Sequence, residues 1–160
     1  KKIMNIKVNK KQIGSDRLAN SIAVASKMKN YIILDFGTAT TFDVVIGNIY
    51  NGGVIAPGVG ISLNTLTSKA TLIPSINLKK TKKVIGNNTI SAVRAGFFWG
   101  YVGLIDNIIK LIKKKSKKPF NIIITGGFSK LFCKSLKSKA VIDKDITIKG
   151  LIRTARLFNF

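Results

Sequence analysis

The chain has 160 residues, 46% of them hydrophobic, with a formal net charge of +22, one cysteine and no histidine. This length allows one hydrophobic core and part of a second. The lone Cys133 excludes an internal disulfide, which favours a reducing cytoplasm as the location. We expect neither a signal peptide nor a membrane span. Without histidine, Ser-His-Asp triads, Cys-His nucleophiles and His-containing zinc sites are excluded. Because the sequence has no glutamate either, a general base would be an aspartate or a lysine.

The positive charge comes almost entirely from lysine. Lysines occur along the whole chain and cluster at residues 79–83 and 113–118, and the four arginines are Arg17, Arg94, Arg153 and Arg156. Arginine is the usual residue for base recognition, and aromatic residues do not alternate with the lysine clusters as in a stacking platform. We therefore interpret the charge as solvated surface and do not expect specific nucleic-acid binding.

The first half of the chain predicts alternating helices and strands. A helical stripe covers residues 16–28, and short apolar runs at 31–36 and 42–49 predict buried strands. Residues 50–53 have the composition of a turn before another short strand. A helix is predicted within residues 58–72, ended by Pro74.

The second half predicts one long helix followed by shorter elements. The helix covers residues 89–115, and its predicted buried face is formed by Ile90, Val93, Phe97, Tyr101, Leu104, Ile108 and Leu111. Its glycines Gly96, Gly100 and Gly103 indicate the close approach of another backbone. A strand at 120–124, a helix at 128–136, a strand at 139–142 and a helix at 148–158 complete an α/β pattern.

One candidate phosphate-binding motif directly follows the predicted strand at 31–36. Residues 35–41 read Asp-Phe-Gly-Thr-Ala-Thr-Thr. Backbone amides and threonine hydroxyls at a strand end can bind phosphate, and Asp35 can hold a cation beside it. An ordinary hairpin, in which the threonines satisfy turn amides, fits this motif equally well.

A second candidate motif, Gly14-Ser15-Asp16-Arg17, opens the first predicted helix. Asp16 can cap this helix while Arg17 pairs with it on the surface. Alternatively, Asp16 removes a proton from a substrate hydroxyl and Arg17 binds the anionic end of that substrate.

Other polar residues have more ordinary interpretations. Thr125-Gly126-Gly127 follows a core strand and could let a nucleotide lie against backbone, but glycine pairs are common at such turns. Thr89 is predicted to cap the long helix, Asp106 to face solvent and Cys133 to pack in an apolar environment.

Taken in order, these motifs resemble the type III pantothenate kinase family. The resemblance begins at about Val8 and includes residues 14–17, 35–43, 52–58, 72–74, 85–89, 95–96, 125–127 and 145–151. It implies an incomplete actin-like ATPase, or ribonuclease H-like, α/β fold. It also implies transfer of the γ-phosphate of ATP to the hydroxyl of pantothenate, a homodimer, a requirement for K⁺ or NH₄⁺, and Mg²⁺ with the ATP.

The resemblance also implies roles for individual residues. Asp16 corresponds to the general base, and Gly14, Ser15 and Arg17 to the pantothenate-binding element. Asp35 corresponds to the monovalent-cation ligand, Thr38 to the ATP-phosphate ligand and Thr89 to a pantothenate contact that can serve the neighbouring subunit. Ser15 stands where the family usually has alanine.

The family's first phosphate-binding motif, of the Asp-x-Gly-Asn-Thr type, has no counterpart here. We therefore expect the carboxy-terminal portion of such an enzyme, with residues 1–28 as the remainder of the first actin-like subdomain and 29–160 as the second. The alternative function is a non-catalytic pseudokinase or a regulatory module, which could be associated with nucleic acid.

Overall fold

The computed structural model describes residues 3–158, which form a six-stranded mixed sheet with helices on both faces. The strands are β1 (Asn5–Ile6), β2 (Asn30–Phe36), β3 (Ala39–Ile46), β4 (Ile49–Pro57), β5 (Asn121–Gly126) and β6 (Ala140–Ile142). Their order across the sheet is β1-β4-β3-β2-β5-β6. The strands β2, β3 and β4 form an antiparallel meander, while β5 runs parallel to β2 and β6, and β1 runs parallel to β4.

The helices are α1 (Ser15–Val24), α2 (Val59–Lys69), α3 (Thr89–Ser116), α4 (Ser129–Phe132) and α5 (Ile146–Phe158). Two short 3₁₀ turns lie at Lys10–Gln12 and Cys133–Ser135. The predicted elements are therefore present, with shifted ends. The largest differences are that α1 stops at Val24 and that the predicted helix 128–136 divides into α4 and a 3₁₀ turn.

The alternation of side chains along β2 divides the core into two clusters. Ile32 and Leu34 face a large cluster that includes residues of α2, α3 and α4. Ile33, between them, faces a smaller cluster with Ile22 of α1 and Ile146 of α5. Because successive side chains in a strand point to opposite faces, the sheet is the middle layer of three.

The prediction for the buried face of α3 was wrong by about one residue. The buried residues are Ala95, Phe98, Tyr101, Val102, Ile105 and Ile109, of which only Tyr101 was predicted. Ile90 and Leu111 are 40% and 53% exposed. Both stripes are apolar with helical spacing, and packing against the sheet decides between them.

Two local predictions were also wrong. Residues 50–53 belong to β4, and the chain reverses before them, at Gly47 and Asn48. Gly47 has a φ of +60°, which glycine adopts without strain. Thr89 is the first residue of α3, and its cap is Asn88, whose side chain accepts from the Ser91 backbone N–H at 2.9 Å.

Helix α3 has 28 residues and is apolar enough to cross a bilayer by length and composition alone, although no membrane span is expected from the apolar runs of the sequence. In this fold α3 lies against the sheet, with Phe98 and Ile105 fully buried in the larger cluster. A core helix of a globular domain satisfies the same test of length and hydropathy.

Helices α1 and α5 pack closely because Gly150 lies in their interface. A Cβ atom built on Gly150 would lie 1.9 Å from the backbone oxygen of Ala19. The Arg153 guanidinium donates to the backbone oxygen of Ile22 at 2.9 Å and ties the two helices together one turn later. This contact fixes α1, which carries the Gly14–Arg17 motif.

Candidate active site

The carboxyl ends of the parallel strands β2 and β5 place polar side chains beside one another. Asp35 lies opposite Thr125 of β5 and opposite Thr41 of β3 in the sheet register. Asp35 and Thr125 line a cleft of about 390 Å³ together with Gly126, Gly127, Ser129, Lys130, Lys144 and Thr147. The cleft thus combines a carboxylate, hydroxyls, bare backbone and two lysines, as a site for phosphate and a cation requires.

Asp35 is held by a short chain of hydrogen bonds that connects three elements. Asn20 of α1 donates from Nδ2 to Asp35 Oδ2 at 3.2 Å, and Thr147 of α5 donates to Asn20 Oδ1 at 2.6 Å. Asn20 is fully buried. Burial raises the pKa of the Asp35 carboxyl, the Asn20 hydrogen bond opposes that shift, and the nearby charges of Asp16 and Asp43 raise the pKa further.

Thr38 lies in the exposed reversal between β2 and β3, beside the start of α2. A Cβ atom built on Gly58, the N-cap residue of α2, would lie 2.0 Å from the Thr38 backbone oxygen. Gly58 therefore allows the hairpin and the helix start to meet. Thr38 itself is exposed, at the same end of β2 as Asp35.

The first turn of α1 presents Asp16 to solvent and directs Arg17 inward. Gly14 is the N-cap residue, and Asp16 Oδ1 accepts from the Arg17 backbone N–H at 2.8 Å. A Cβ atom at Gly14 would lie 2.6 Å from that same Asp16 oxygen. Glycine at 14 thus leaves the Asp16 carboxylate in place, and Asp16 does not occupy the predicted N-cap position.

Arg17 does not pair with Asp16. Its Nη2 lies 2.7 Å from Asp43 Oδ1 and its Nε donates to the same oxygen at 2.9 Å. Tyr50 donates its hydroxyl to Asp43 Oδ1 at 2.6 Å. Burial raises the pKa of Asp43 and the hydrogen bonds from Arg17 and Tyr50 oppose the shift, while burial lowers the pKa of Arg17 but Asp43 raises it more.

A second, smaller cleft of about 180 Å³ opens beside Arg17. It is lined by Val8, Asn9, Gln12, Ile13, Arg17, Tyr50, Gly52, Gly53 and Ile55. One guanidinium, two side-chain amides and apolar walls can receive a small anionic molecule with an aliphatic part.

The structure brings most of the predicted site residues together at one end of the sheet. Asp16 and Asn20 are four residues apart on α1, and Asn20 contacts Asp35, so α1 links the two predicted motifs. Thr89 lies elsewhere: it is exposed at the start of α3 and lines neither the Asp35 cleft nor the Arg17 cleft. Asp106, predicted to face solvent, is half-buried and accepts from the Lys137 backbone N–H at 3.0 Å.

Within residues 3–158, no group of three or more His, Cys, Asp or Glu side chains is placed to hold a metal ion. A monovalent cation needs fewer charged ligands than a divalent ion. The Asp35 carboxylate and the Thr125 hydroxyl are oxygen ligands of the kind that K⁺ prefers, and a bound cation would offset the burial of Asp35.

Comparison with protein-family models decides the family. Residues 1–111 match the model described as type III pantothenate kinase. This chain belongs to the type III pantothenate kinase family. The matched range includes α1, the β2–β3–β4 meander and most of α3, and thus contains every predicted site residue.

Relatives named type III pantothenate kinase match nearly the whole chain. The protein from Pelagibacter ubique HTCC1062 is 70% identical over 156 residues, covering 98% of this chain and 63% of its own length. The type III pantothenate kinase from Ruegeria sp. TM1040 is 44% identical over 143 residues, covering 88% of this chain and 55% of its own length. The chain thus spans between half and two thirds of these relatives.

Solved structures confirm the actin-like fold and its incompleteness. A protein named as a Baf family transcriptional activator from Campylobacter jejuni superposes with a TM-score of 0.72 at 20% identity, covering 98% of this chain and 70% of that one. The ethanolamine utilization protein EutJ from Carboxydothermus hydrogenoformans gives a TM-score of 0.52 at 16% identity, covering 84% and 52%. At these identities the likeness shows the fold alone.

Sequence reasoning missed four residues that hold the site together: Asn20, Asp43, Tyr50 and Thr147. The sequence motif 35–43 ends at Asp43 but predicts no role for it. An aspartate inside an apolar strand is the one signal that could have identified it, because a buried carboxylate requires a partner. The partner itself, Arg17, is 26 residues away in sequence.

Proposed function

We propose that this chain forms the substrate-binding and catalytic-base part of a kinase that transfers the γ-phosphate of ATP to the hydroxyl of pantothenate, the first step of coenzyme A biosynthesis. The observation that carries the proposal is that α1 connects the three groups: Asp16 contacts Arg17, which lines the smaller cleft, and Asn20, one turn further along, contacts Asp35. Family membership selects pantothenate among small anionic alcohols.

In this proposal Asp16 accepts the proton of the attacking hydroxyl. One of its oxygens accepts from the Arg17 backbone N–H, and the exposed carboxylate leaves the other available to substrate. Arg17 binds the pantothenate carboxylate, and Gly14 and Ser15 shape the adjoining backbone. Phosphoryl transfer depends mainly on such positioning and on charge neutralisation.

Asp35 and Thr125 would hold the monovalent cation, K⁺ or NH₄⁺, and Thr38 would contact the ATP phosphates. The cation supplies positive charge beside the phosphates when bound. Lys130 and Lys144 line the same cleft and add positive charge there. We propose that protein segments outside this chain complete the binding of ATP and its Mg²⁺.

A completed protein provides the test. It consists of this chain joined to the parts of the Pelagibacter ubique relative that lie outside the match. We expect it to phosphorylate pantothenate with ATP in K⁺ and to lose most of that activity when Na⁺ replaces K⁺, because the proposed oxygen site of Asp35 and Thr125 would have to replace the hydration shell of the smaller Na⁺ at a higher cost. A coupled assay of ADP release with and without pantothenate measures this.

The control is the chain alone, which we expect to be much less active because it spans only part of its relatives. ATP turnover that does not depend on pantothenate, or pantothenate-dependent turnover equal in K⁺ and Na⁺, would contradict the corresponding part of the proposal. Failure to bind either substrate would favour the non-catalytic alternative.

We further propose a homodimer in which Thr89 contacts pantothenate in the neighbouring subunit. An apolar groove of about 380 Å³ lies between α2 and α3, lined by Pro57, Ser62, Leu66, Val93, Gly96, Phe97, Gly100, Tyr101 and Leu104. No described heavy atom lies within 4 Å of a Cβ built on Gly96 or Gly100, so the close backbone approach predicted from these glycines does not occur within residues 3–158. A second copy would supply it.

Gly100→Arg is expected to convert the dimer to a monomer. The new side chain starts in open space, so the fold tolerates it, but it places a charge and bulk in the groove. Sedimentation velocity of the completed protein measures the change. Asn107→Arg is the matched control, since it adds the same residue to an exposed position of the same helix outside the groove. A Gly100→Arg protein that stays dimeric would place the interface elsewhere.

A further inference from the structure

Asp43 is a buried carboxylate that the resemblance gives no role. It lies on β3, its side chain is fully buried, and it faces the first turn of α1 through Arg17. A buried charge is costly unless it is paired. Even a paired buried charge often adds little stability, and its contribution is then to specify a geometry. The way in which Asp43 is paired therefore indicates what it does.

The pairing uses one edge of the Arg17 guanidinium. Nε and Nη2 both donate to the single oxygen Oδ1 of Asp43, at 2.9 and 2.7 Å. A guanidinium has five N–H donors in a rigid plane. Two contacts on one edge fix the orientation of that plane and leave the opposite edge, which carries Nη1, for another group.

The opposite edge has an available site next to it. Arg17 is 14% exposed and lines the 180 Å³ cleft, and among the described residues its Nη1 makes no hydrogen bond. A carboxylate in that cleft would meet a guanidinium whose position is already fixed, so binding would not require Arg17 to be ordered.

Two neighbours hold this arrangement in place. Tyr50, 1% exposed, donates to the same Asp43 oxygen at 2.6 Å and adds a third contact that holds this oxygen in place. Gly53 lies beside the guanidinium: a Cβ atom there would lie 2.9 Å from Arg17 Nη2 and 2.1 Å from the Phe42 backbone oxygen. A side chain at 53 would therefore displace either the guanidinium or the adjoining backbone of β3.

We propose that Asp43 is a positioning residue for substrate binding, which orients Arg17 so that its free edge binds the carboxylate of pantothenate. This inference rests on the proposed function for the identity of the ligand. Asp43 itself does not contact substrate. It acts through Arg17, and its contribution lies in the fixed direction of the guanidinium as well as in its charge.

Three variants separate orientation from charge. Asp43→Asn removes the charge. Asp43→Glu keeps the charge and the ion pair but displaces the guanidinium by about one methylene, which is enough to weaken binding about tenfold or more. Asp143→Asn is the matched control, because Asp143 forms a partly exposed ion pair with Lys149 at 2.7 Å that does not involve Arg17. Thermal unfolding shows which variants are folded.

Two measurements are made on each folded variant. The first is the dissociation constant of pantothenate, by calorimetry. The second is hydrogen exchange of the Arg17 Nε–H by ¹⁵N NMR, with the exposed Arg156 as internal reference. Because the chain has only four arginines, the Arg17→Lys variant is sufficient to assign the Arg17 signal. We expect slow exchange at Arg17 in the unsubstituted chain, fast exchange in Asp43→Asn, and at least about tenfold weaker pantothenate binding in both Asp43 variants.

The outcomes distinguish this inference from the proposed function. Pantothenate binding by Asp43→Glu equal to that of the unsubstituted chain would overturn the positioning role, even if Asp43→Asn fails to fold. An unsubstituted chain that does not bind pantothenate counts against the proposed function, and the exchange measurement then decides alone. In that case exchange at Arg17 as fast as at Arg156 overturns the inference, and Asp43-dependent protection supports it.

Discussion

Asp16→Asn is expected to lower kcat for pantothenate phosphorylation in the completed protein by about 10²–10⁴-fold, with little change in KM. The amide cannot accept the proton of the attacking hydroxyl. It retains a carbonyl oxygen that can accept from the Arg17 backbone N–H, the bond that Asp16 Oδ1 makes at 2.8 Å. The start of α1 and the position of Arg17 are therefore preserved, and the loss isolates the proton-accepting role.

The control for this prediction is Asp145→Asn, which makes the same change at an exposed position just before α5. Steady-state kinetics with varied pantothenate and saturating ATP measure both parameters. Activity in Asp16→Asn within about threefold of the unsubstituted protein would show that Asp16 is not the base. Equal losses in both variants would indicate a general effect of removing negative charge.

Gly150→Ala is expected to have the largest effect on stability, with a loss of about 3 kcal/mol or more in the free energy of unfolding. A Cβ atom at this position would lie 1.9 Å from the Ala19 backbone oxygen, and backbone cannot move aside as a flexible side chain can. Helices α1 and α5 would have to separate. Such a separation would also stretch the Thr147–Asn20 bond of 2.6 Å that supports Asp35.

Gly103→Ala provides the matched control. Gly103 lies inside α3, where a Cβ atom meets no described heavy atom within 4 Å. Alanine there should raise stability by about 0.5–1 kcal/mol, because it lowers the entropy of the unfolded chain and favours the helix. Urea unfolding followed by circular dichroism compares the two variants. A Gly150→Ala protein as stable as Gly103→Ala, or as stable as the unsubstituted protein, would show that α1 and α5 do not pack this closely.

Much of the fold could be predicted because the sequence carries local signals. Apolar runs predicted the strands β2 and β5, and helical spacing predicted α1 and α3 with ends shifted by a few residues. The failures arose where two local patterns competed. The Tyr50–Gly53 segment has the composition of a turn but is part of β4, because Tyr50 and Gly53 pair with β3 on either side of a register shift.

The candidate site was predicted only in part. Asp16, Arg17, Asp35 and Thr38 were identified by motif, and their roles remain predictions. The division at residues 28 and 29 also remains a prediction; in the structure β1 and β2–β6 belong to one sheet. Asn20, Asp43 and Thr147 were not identified, because each acts through a partner on another element.

By itself, the sequence determined the α/β class, the shortage of reactive groups and the family. These follow from composition and from short motifs in order, which need no knowledge of distant contacts. Only the tertiary structure decided which face of α3 is buried, that Arg17 pairs with Asp43 and not with Asp16, and that Thr89 lies apart from both clefts. The reason is that these outcomes depend on which side chains meet in the folded chain. Arg17 and Asp43 are 26 positions apart in sequence, and Asn20 and Thr147 are 127 positions apart, so each pair meets only when the chain folds.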